Sequence, residues 1–378
     1  MRVLLDVSAV PDQPVGAGVY TINIAEGLDA SADVELHLLA RTGDERWDTL
    51  TPNATVHPEA PVRRPLRLAW EQVGAPRLAK EVRPDVWHGP HYTLPLRSEG
   101  ASVVTVHDLT FFDHPEWHER AKVLYFRRMI RAAVARADVV ICVSAYTAQR
   151  LRANTEPAGD IVVVPHGVDH NRFTPNASDT ERDADYALLR QHGIEPPFLA
   201  FSGTMEPRKD IPTIVDGFAR VARDAPDVKL VLAGGDGWGI DAVRDAVAAS
   251  RVSTRIVRPG YLKDDAVAAL MRQATAIVYP SLEEGFGLPA LETLACGTPL
   301  VTTYGSAIEE VVGDAALLIA PGDADGLATQ VRRVLREPGL ADRLRAEGIA
   351  RAATFTWERS VTGHLDAYRR AVPTGAAA

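Results

Sequence analysis

The sequence predicts an α/β protein made of two doubly wound domains. Three observations lead there. The chain has 378 residues, more than one ordinary core accommodates at roughly 150 residues per domain. Its composition, 46% hydrophobic and 24% charged, is that of a folded globular protein. Short β-branched apolar runs alternate with longer helical patterns almost throughout, the signature of parallel strands covered by helices on both faces.

In order, the first half offers RVLLDV, VELHLLA, DVWHG, SVVTVHD, VVICVS and IVVVPHG, each bounded by a turn signal. The second half offers FLAFSG, VKLVLAGG, TRIVRPG, AIVYPS, PLVTTYG and ALLIAP. Between them, from Val162 to Ser178, proline, glycine and asparagine cluster and periodicity is lost. This places a first domain at 1–175 and a second at 176–357. TFTWERSVTGHLDAYRRAV has helical spacing with no strand after it, so a helix within 358–378 is expected to return and pack on the first domain. The final PTGAAA reads as frayed.

Charge and cysteine usage exclude several classes. A net charge of −9 argues against a nucleic-acid partner. Cys142 and Cys296 sit in apolar contexts without metal-like or redox spacing and read as core residues in a reducing cytosol. The start, MRVLLDVSAV, is broken by Asp6 and does not read as a secretory signal, and no run reaches the ~20 apolar residues of a membrane span. A cytoplasmic protein is expected.

The most punctuated stretch is YPSLEEGFGLPALETLACGTPL, from Tyr279. AIVYP reads as a strand releasing a loop at Ser281, with Pro289 suited to the start of the next helix. Gly285 and Gly287 permit close approach of backbone to a ligand, and Glu292 is expected in the first helical turn. Glu284 and Glu292, with seven residues between them, are equally what two acidic residues flanking a helix start would look like. Glu283 reads as solvated.

That glutamate pair resembles the signature of retaining glycosyltransferases of family 4, which have the GT-B fold. VGAGVY, VTVHDL, PHGVDHNRF, GTMEPRKD and LAGGDG agree in order and spacing, so the resemblance covers nearly the whole chain. It implies two Rossmann-like domains facing each other across a cleft, the first on the acceptor side and the second binding a nucleotide-sugar donor. It implies that Glu284 meets hydroxyls of the transferred sugar and Glu292 the nucleotide ribose, with Gly285, Phe286, Gly287 and Leu288 forming the loop and helix start beside the diphosphate. Gly203 ends the second domain's first strand, and Arg208 and Lys209 serve the diphosphate in place of a metal. In the first domain, His107 contacts the donor sugar, Asp108 shapes the pocket, and Gly16 and Gly18 approach donor phosphates and acceptor.

Other chemistries fit less well. The D-x-D sequences at Asp183–Asp185 and Asp323–Asp325 lack the preceding apolar strand of a metal-diphosphate site, and His88, His91, His107, His114 and His118 show no ligand spacing, so no metal and no other cofactor is expected. Thr21 stands where a G-x-G-x-x-G fingerprint needs glycine, so NAD is unsupported. From Glu119 to Asp138, Arg120, Arg127, Arg128, Arg131 and Arg136 accompany an apolar set, and PVRRPLR adds three arginines upstream. This strip suits peripheral contact with an anionic membrane face and equally a solvated helix face. The expected activity is metal-independent, retaining transfer of mannose or a related hexose from a nucleoside diphosphate sugar to a hydroxyl of a glycan or lipid-linked acceptor. Nucleotide-sugar epimerases, phosphorylases and a non-catalytic partner subunit share the fold and stand as alternatives.

Overall fold

The computed structural model describes residues 1–97, 99–176 and 178–372; the PTGAAA segment lies outside them. The chain divides into two compact units, Met1–Gly167 joined by the segment from Trp357 onward, and Val168–Thr356. The first ends at Gly167, ahead of the expected 175, because the next residues bond within the second unit: Val168 N–H donates to the Phe355 carbonyl at 3.3 Å and His170 Nε2 reaches the same carbonyl at 3.2 Å.

The first unit is built on β1 (Arg2–Asp6), β2 (Glu35–Arg41), β3 (Thr55–Ala60), β4 (Val86–Gly89), β5 (Ala101–Val106), β6 (Val139–Cys142) and β7 (Asp160–Val163). They pair in parallel in the order β3-β2-β1-β4-β5-β6-β7. Side chains alternate across the sheet: Val3 and Leu5 enter one core with Tyr20, Val103 and Ile141, while Leu4 enters the other with Trp87, Val104 and Val140. Such burial stabilises by about 1.5–3 kcal/mol per large aliphatic side chain. The sequence pattern missed β3, because TVHPEA is half-exposed and carries Pro58, features of an edge strand. The helix Trp357–Ala371 belongs to this unit, where Val361, Tyr368 and Ala371 pack with Leu5 and Tyr20.

The second unit comprises β8 (Phe198–Ser202), β9 (Lys229–Ala233), β10 (Ile256–Gly260), β11 (Ala276–Tyr279), β12 (Leu300–Thr303) and β13 (Leu317–Ile319), parallel in the order β10-β9-β8-β11-β12-β13. β8, β11 and β12 are buried along their whole length, which is why they read as continuous apolar runs. In each unit the strand order reverses beside the first strand, at β1/β4 and at β8/β11. Loops leaving the carboxyl ends at such a point open a crevice that side chains and backbone can line.

Candidate active site

In the second unit the β8/β11 point is occupied by charge. β8 ends at Ser202, and the chain continues through Gly203 to a single tight turn, Pro207–Lys209, closed by Asp210 in the left-handed region at φ 49°. That conformation is costly for a residue with a Cβ, and it ends the turn with Lys209 buried, 5% exposed. Across from it, β11 releases Ser281 to Gly287. The two loops are clasped: Leu282 N–H donates to the Arg208 carbonyl at 2.7 Å, and Ser281 Oγ lies 3.0 Å from the same oxygen.

Glu284 is the centre of this clasp. Its carboxylate is buried and pairs with Arg208 Nη1 through Oε2 at 2.6 Å and with Lys209 Nζ through Oε1. Tyr279 Oη donates to Oε1 at 3.0 Å, and Ser281 Oγ lies 2.8 Å away. Lys209 also bonds Tyr279 Oη and stands 4.7 Å over its ring. Arg208 Nε is paired with Glu206 at 2.6 Å. Burial pulls Lys209 down from 10.5 to about 8, helped by the charge of Arg208 and opposed by Glu284. Burial pushes Glu284 upward, yet Arg208 and Lys209 together hold it below the usual carboxylate range. The result is an ionised, preorganised cluster of two cations and two carboxylates.

The remaining expected residues of this unit frame the cluster. Gly234 lies where an added Cβ would stand 1.9 Å from the Gly203 carbonyl, so the ends of β8 and β9 close together only because it is glycine. Gly285 is buried. Gly287, at φ 94°, begins the helix Leu288–Ala295. Pro289 is the second residue of that helix and Leu288 its buried first. Phe286 is buried edge-on against Phe355, with ring centroids 6.0 Å apart, which gives it a packing contact within the unit. Glu292 is the helix's fifth residue, half-buried, so it lies one residue deeper, just past the first turn expected for it. Glu283 is not solvated: it is 5% exposed, and its carbonyl faces Arg208 Nη1 at 3.5 Å. The clasp turns the backbone of the Glu-Glu pair inward and buries both residues. Sequence reasoning gave Tyr279 and Ser281 no role; their strand-like spacing before Glu284 is the signal that places them beside it.

Three of the four D-x-D carboxylates are engaged elsewhere, and Asp183 is exposed. Asp185 is fixed by Arg272 at 2.7 Å, Asp323 caps its helix through Gly326 N–H at 2.8 Å, and Asp325 pairs with Arg220.

In the first unit, His107 follows β5 and is 9% exposed. Its Nε2 donates to the Pro90 carbonyl at 2.8 Å, which fixes the tautomer and leaves the Nδ1 lone pair to accept. Burial holds its pKa below the ordinary histidine value, against the Pro90 contact and the charge of Asp108, so the ring is neutral. Asp108 is engaged structurally, accepting from Tyr92 Oη at 2.8 Å and from Thr110 N–H at 3.0 Å. Those bonds hold the Pro90–Thr93 turn, and hence the Pro90 carbonyl, beside His107. Gly16 precedes the helix Ala17–Asp29 with open space where a Cβ would stand, whereas Gly18 packs 3.2 Å from Pro11. In the same unit Glu71 is buried on the helix Arg64–Val73, bonded to Thr93 Oγ1 at 3.1 Å, and burial together with the charge of Asp6 raises it to about 8.

A doubly wound sheet in each unit and an Arg-Lys-Glu cluster at a switch point define the class, a protein of two Rossmann-like domains with a charged crevice in the second. Comparison narrows it. The profile of the glycosyl transferases group 1 matches residues 188–351, and that of Glycosyltransferase Family 4 matches 14–172. The chain is 29% identical to the O-antigen chain mannosyltransferase B of Escherichia coli over 307 residues, 81% of this chain and 77% of that protein. It is 30% identical to a glycogen synthase of Mycobacterium tuberculosis over 299 residues, 76% and 69% of the two chains. Among solved structures, a sucrose-phosphate synthase from Thermosynechococcus elongatus superposes with a TM-score of 0.80 at 22% identity, covering 98% of each chain. The chain belongs to glycosyltransferase family 4, within the group 1 glycosyl transferases, and is a glycosyltransferase using a nucleotide sugar.

Proposed function

We propose that this enzyme transfers mannose, or a closely related hexose, from a nucleoside diphosphate sugar to a hydroxyl of a glycan or lipid-linked acceptor, without a metal and with retention at the anomeric carbon. The observation that carries this reading is the placement of Arg208 and Lys209, both ion-paired to Glu284, at the carboxyl ends of β8 and β11. Negative charge grows on the departing diphosphate, and fixed cations in a desolvated site stabilise it at no cost of reorganisation. Arg208 offers a planar fork and Lys209 a point charge. As both turn to the diphosphate, Glu284 is released to accept from hydroxyls of the sugar, which keeps every buried charge partnered. Glu292 and the start of the helix Leu288–Ala295 serve the ribose and the diphosphate. His107, neutral with an accepting Nδ1, takes a hydroxyl of the bound sugar.

Retention is assigned to front-face attack. With the donor bound, Glu284 accepts from the sugar's hydroxyls, and no covalent sugar-enzyme intermediate is invoked. The acceptor oxygen instead bonds to the anomeric carbon on the face that the diphosphate leaves, and its proton passes to a diphosphate oxygen. Mannose is favoured by the mannosyltransferase relative. The test is a donor panel assayed in EDTA, with product anomers assigned by NMR. GDP-mannose turnover with an unchanged anomer is the expected result; inversion, or strict dependence on added divalent metal, would refute the mechanism.

The acceptor side also fits a membrane face. Arg120, Leu124 and Arg128, spaced by four on the helix Arg120–Val134, are exposed, Leu124 at 75%. This stripe supports peripheral attachment to anionic lipid at the cytoplasmic face. Arg127, expected to share in it, is turned inward and donates to the carbonyls of Phe111 at 2.6 Å and Phe112 at 3.1 Å, while Arg131 stays exposed and lies 5.0 Å over the Phe112 ring. Arg120→Glu with Arg128→Glu is therefore the pair that should abolish co-sedimentation with anionic vesicles, and undiminished binding would refute the attachment.

A further inference from the structure

Behind His107 lies a buried chain of hydrogen bonds whose directions are all fixed. Start from the Ser360 carbonyl, which only accepts. His364 Nδ1, 2.7 Å away, must carry the proton, so the neutral ring offers Nε2 as an acceptor. Tyr20 Oη, 2.7 Å from that nitrogen, donates to it. With its one hydrogen used, Tyr20 Oη accepts from Thr105 Oγ1 at 2.8 Å. Thr105 in turn accepts from His88 Nε2 at 2.8 Å, and His88 Nδ1 accepts from Tyr368 Oη at 2.7 Å. Burial keeps both histidines neutral, His364 at about 4 and His88 well below its ordinary value, so no second proton arrives to reverse a link.

The chain joins the C-terminal helix to the seat of His107. Thr105 and His88 lie two residues before His107 and Pro90, one pleat back along the paired strands β5 and β4. Tyr20 meets the His107 ring edge-on, with centroids 4.9 Å apart at 79°, and His166 at 4.8 Å. Its backbone N–H bonds the Gly16 carbonyl at 3.0 Å. Tyr20 thus touches the glycine turn, the histidine and the C-terminal helix at once. The chain ends on a peptide carbonyl, and the His107 ring donates to Pro90 instead of joining it, so it braces and does not conduct protons.

We propose that the helix Trp357–Ala371 is a positioning element of the reaction centre, with His364, Tyr20 and Thr105 as the residues through which it holds His107 in place. This rests on the reading that His107 meets the bound sugar. Thr105→Val keeps shape but removes the hydroxyl that links Tyr20 to His88. Expected is a fall in kcat of roughly ten-fold, below the 10²-fold that a ~1 Å misplacement costs, with donor KM little changed. Thr105→Ser should restore kcat, and His364→Gln, which keeps a donor and an acceptor, should exceed His364→Leu. The 15N shifts of the His107 imidazole should change in Thr105→Val and not in Thr105→Ser. Should Thr105→Val fail to fold, Tyr20→Phe carries the same test, because the ring stays against His107. Folded variants with wild-type kcat and His107 shifts, beside a His107→Ala enzyme that has lost activity, would overturn the inference alone. A His107→Ala enzyme with unimpaired kcat would overturn the reading of His107 and the inference with it.

Discussion

The two units share one strand order up to the first unit's extra edge strand, β7, and each reverses it beside its first strand, yet the chemistry there is opposite. At β8/β11 the second unit gathers full charges, Arg208, Lys209, Glu206 and Glu284, in ion pairs. Around β4 and β5 the first unit gathers neutral rings and hydroxyls, His88, Thr105, Tyr20 and His364, in a one-way chain. The difference teaches that the scaffold fixes where a site forms, while the side chains at the strand ends decide what it holds. A diphosphate calls for cations that are already ionised. On the reading proposed for His107, a sugar hydroxyl calls for a neutral partner, because a buried unpaired charge beside it would cost several kcal/mol.

The comparison breaks most visibly at Glu284. Glu284→Ala leaves the buried Lys209 without its carboxylate and the half-buried Arg208 with Glu206 alone, so a loss of about 3 kcal/mol in stability is expected, together with a fall of about 10²-fold or more in kcat. Denaturant unfolding and initial rates check both; a stable, active variant would mean that the ionic cluster is incidental. Lys209 sharpens the contrast through pH. In the proposed role its charged form meets the diphosphate, and burial brings its loss down to about pH 8, so donor kcat/KM in the free enzyme should fall along an alkaline limb near that pH. Lys209→Arg should move the limb upward, and a profile that stays flat to pH 9.5 would contradict the assignment.

The smallest effect concerns a carboxyl in the neutral unit. Burial pushes Glu71 up from the ordinary 4.5 to about 8 in the folded chain, so folding favours its protonated form. Its cost is absent below about 4.5, grows as pH rises between the two values, and is complete above about 8. Glu71→Gln should therefore raise Tm by a few degrees at pH 8.5 and scarcely at pH 5. An equal shift at both pH values would show that the carboxyl is not destabilised by burial.

Much of the crevice at β8/β11 was legible in the sequence. Glu284, Glu292, Arg208 and Lys209 sit at fixed spacings from strand ends, and the strand ends themselves read as apolar runs. What the sequence misplaced was local. Glu292 fell one residue deeper, just past the first turn, because the helix starts at Leu288, and Glu283 was buried by a clasp between loops that are 75 residues apart. β3 escaped because a half-exposed edge strand has no apolar signature. In the first unit, the corresponding crevice was legible only at His107 and its neighbours. Tyr20 and His364 are 344 residues apart, and each alone is an ordinary helix residue; only the return of the last helix brings them together.

The most direct test of the account is a calorimetric titration of GDP and GDP-mannose, in EDTA, into the wild-type enzyme and the Arg208→Gln/Lys209→Met variant. The account predicts binding by wild type without metal and a loss of affinity of about 10²-fold or more in the variant. Equal affinity in both proteins, or wild-type binding that appears only when a divalent cation is added, would contradict it.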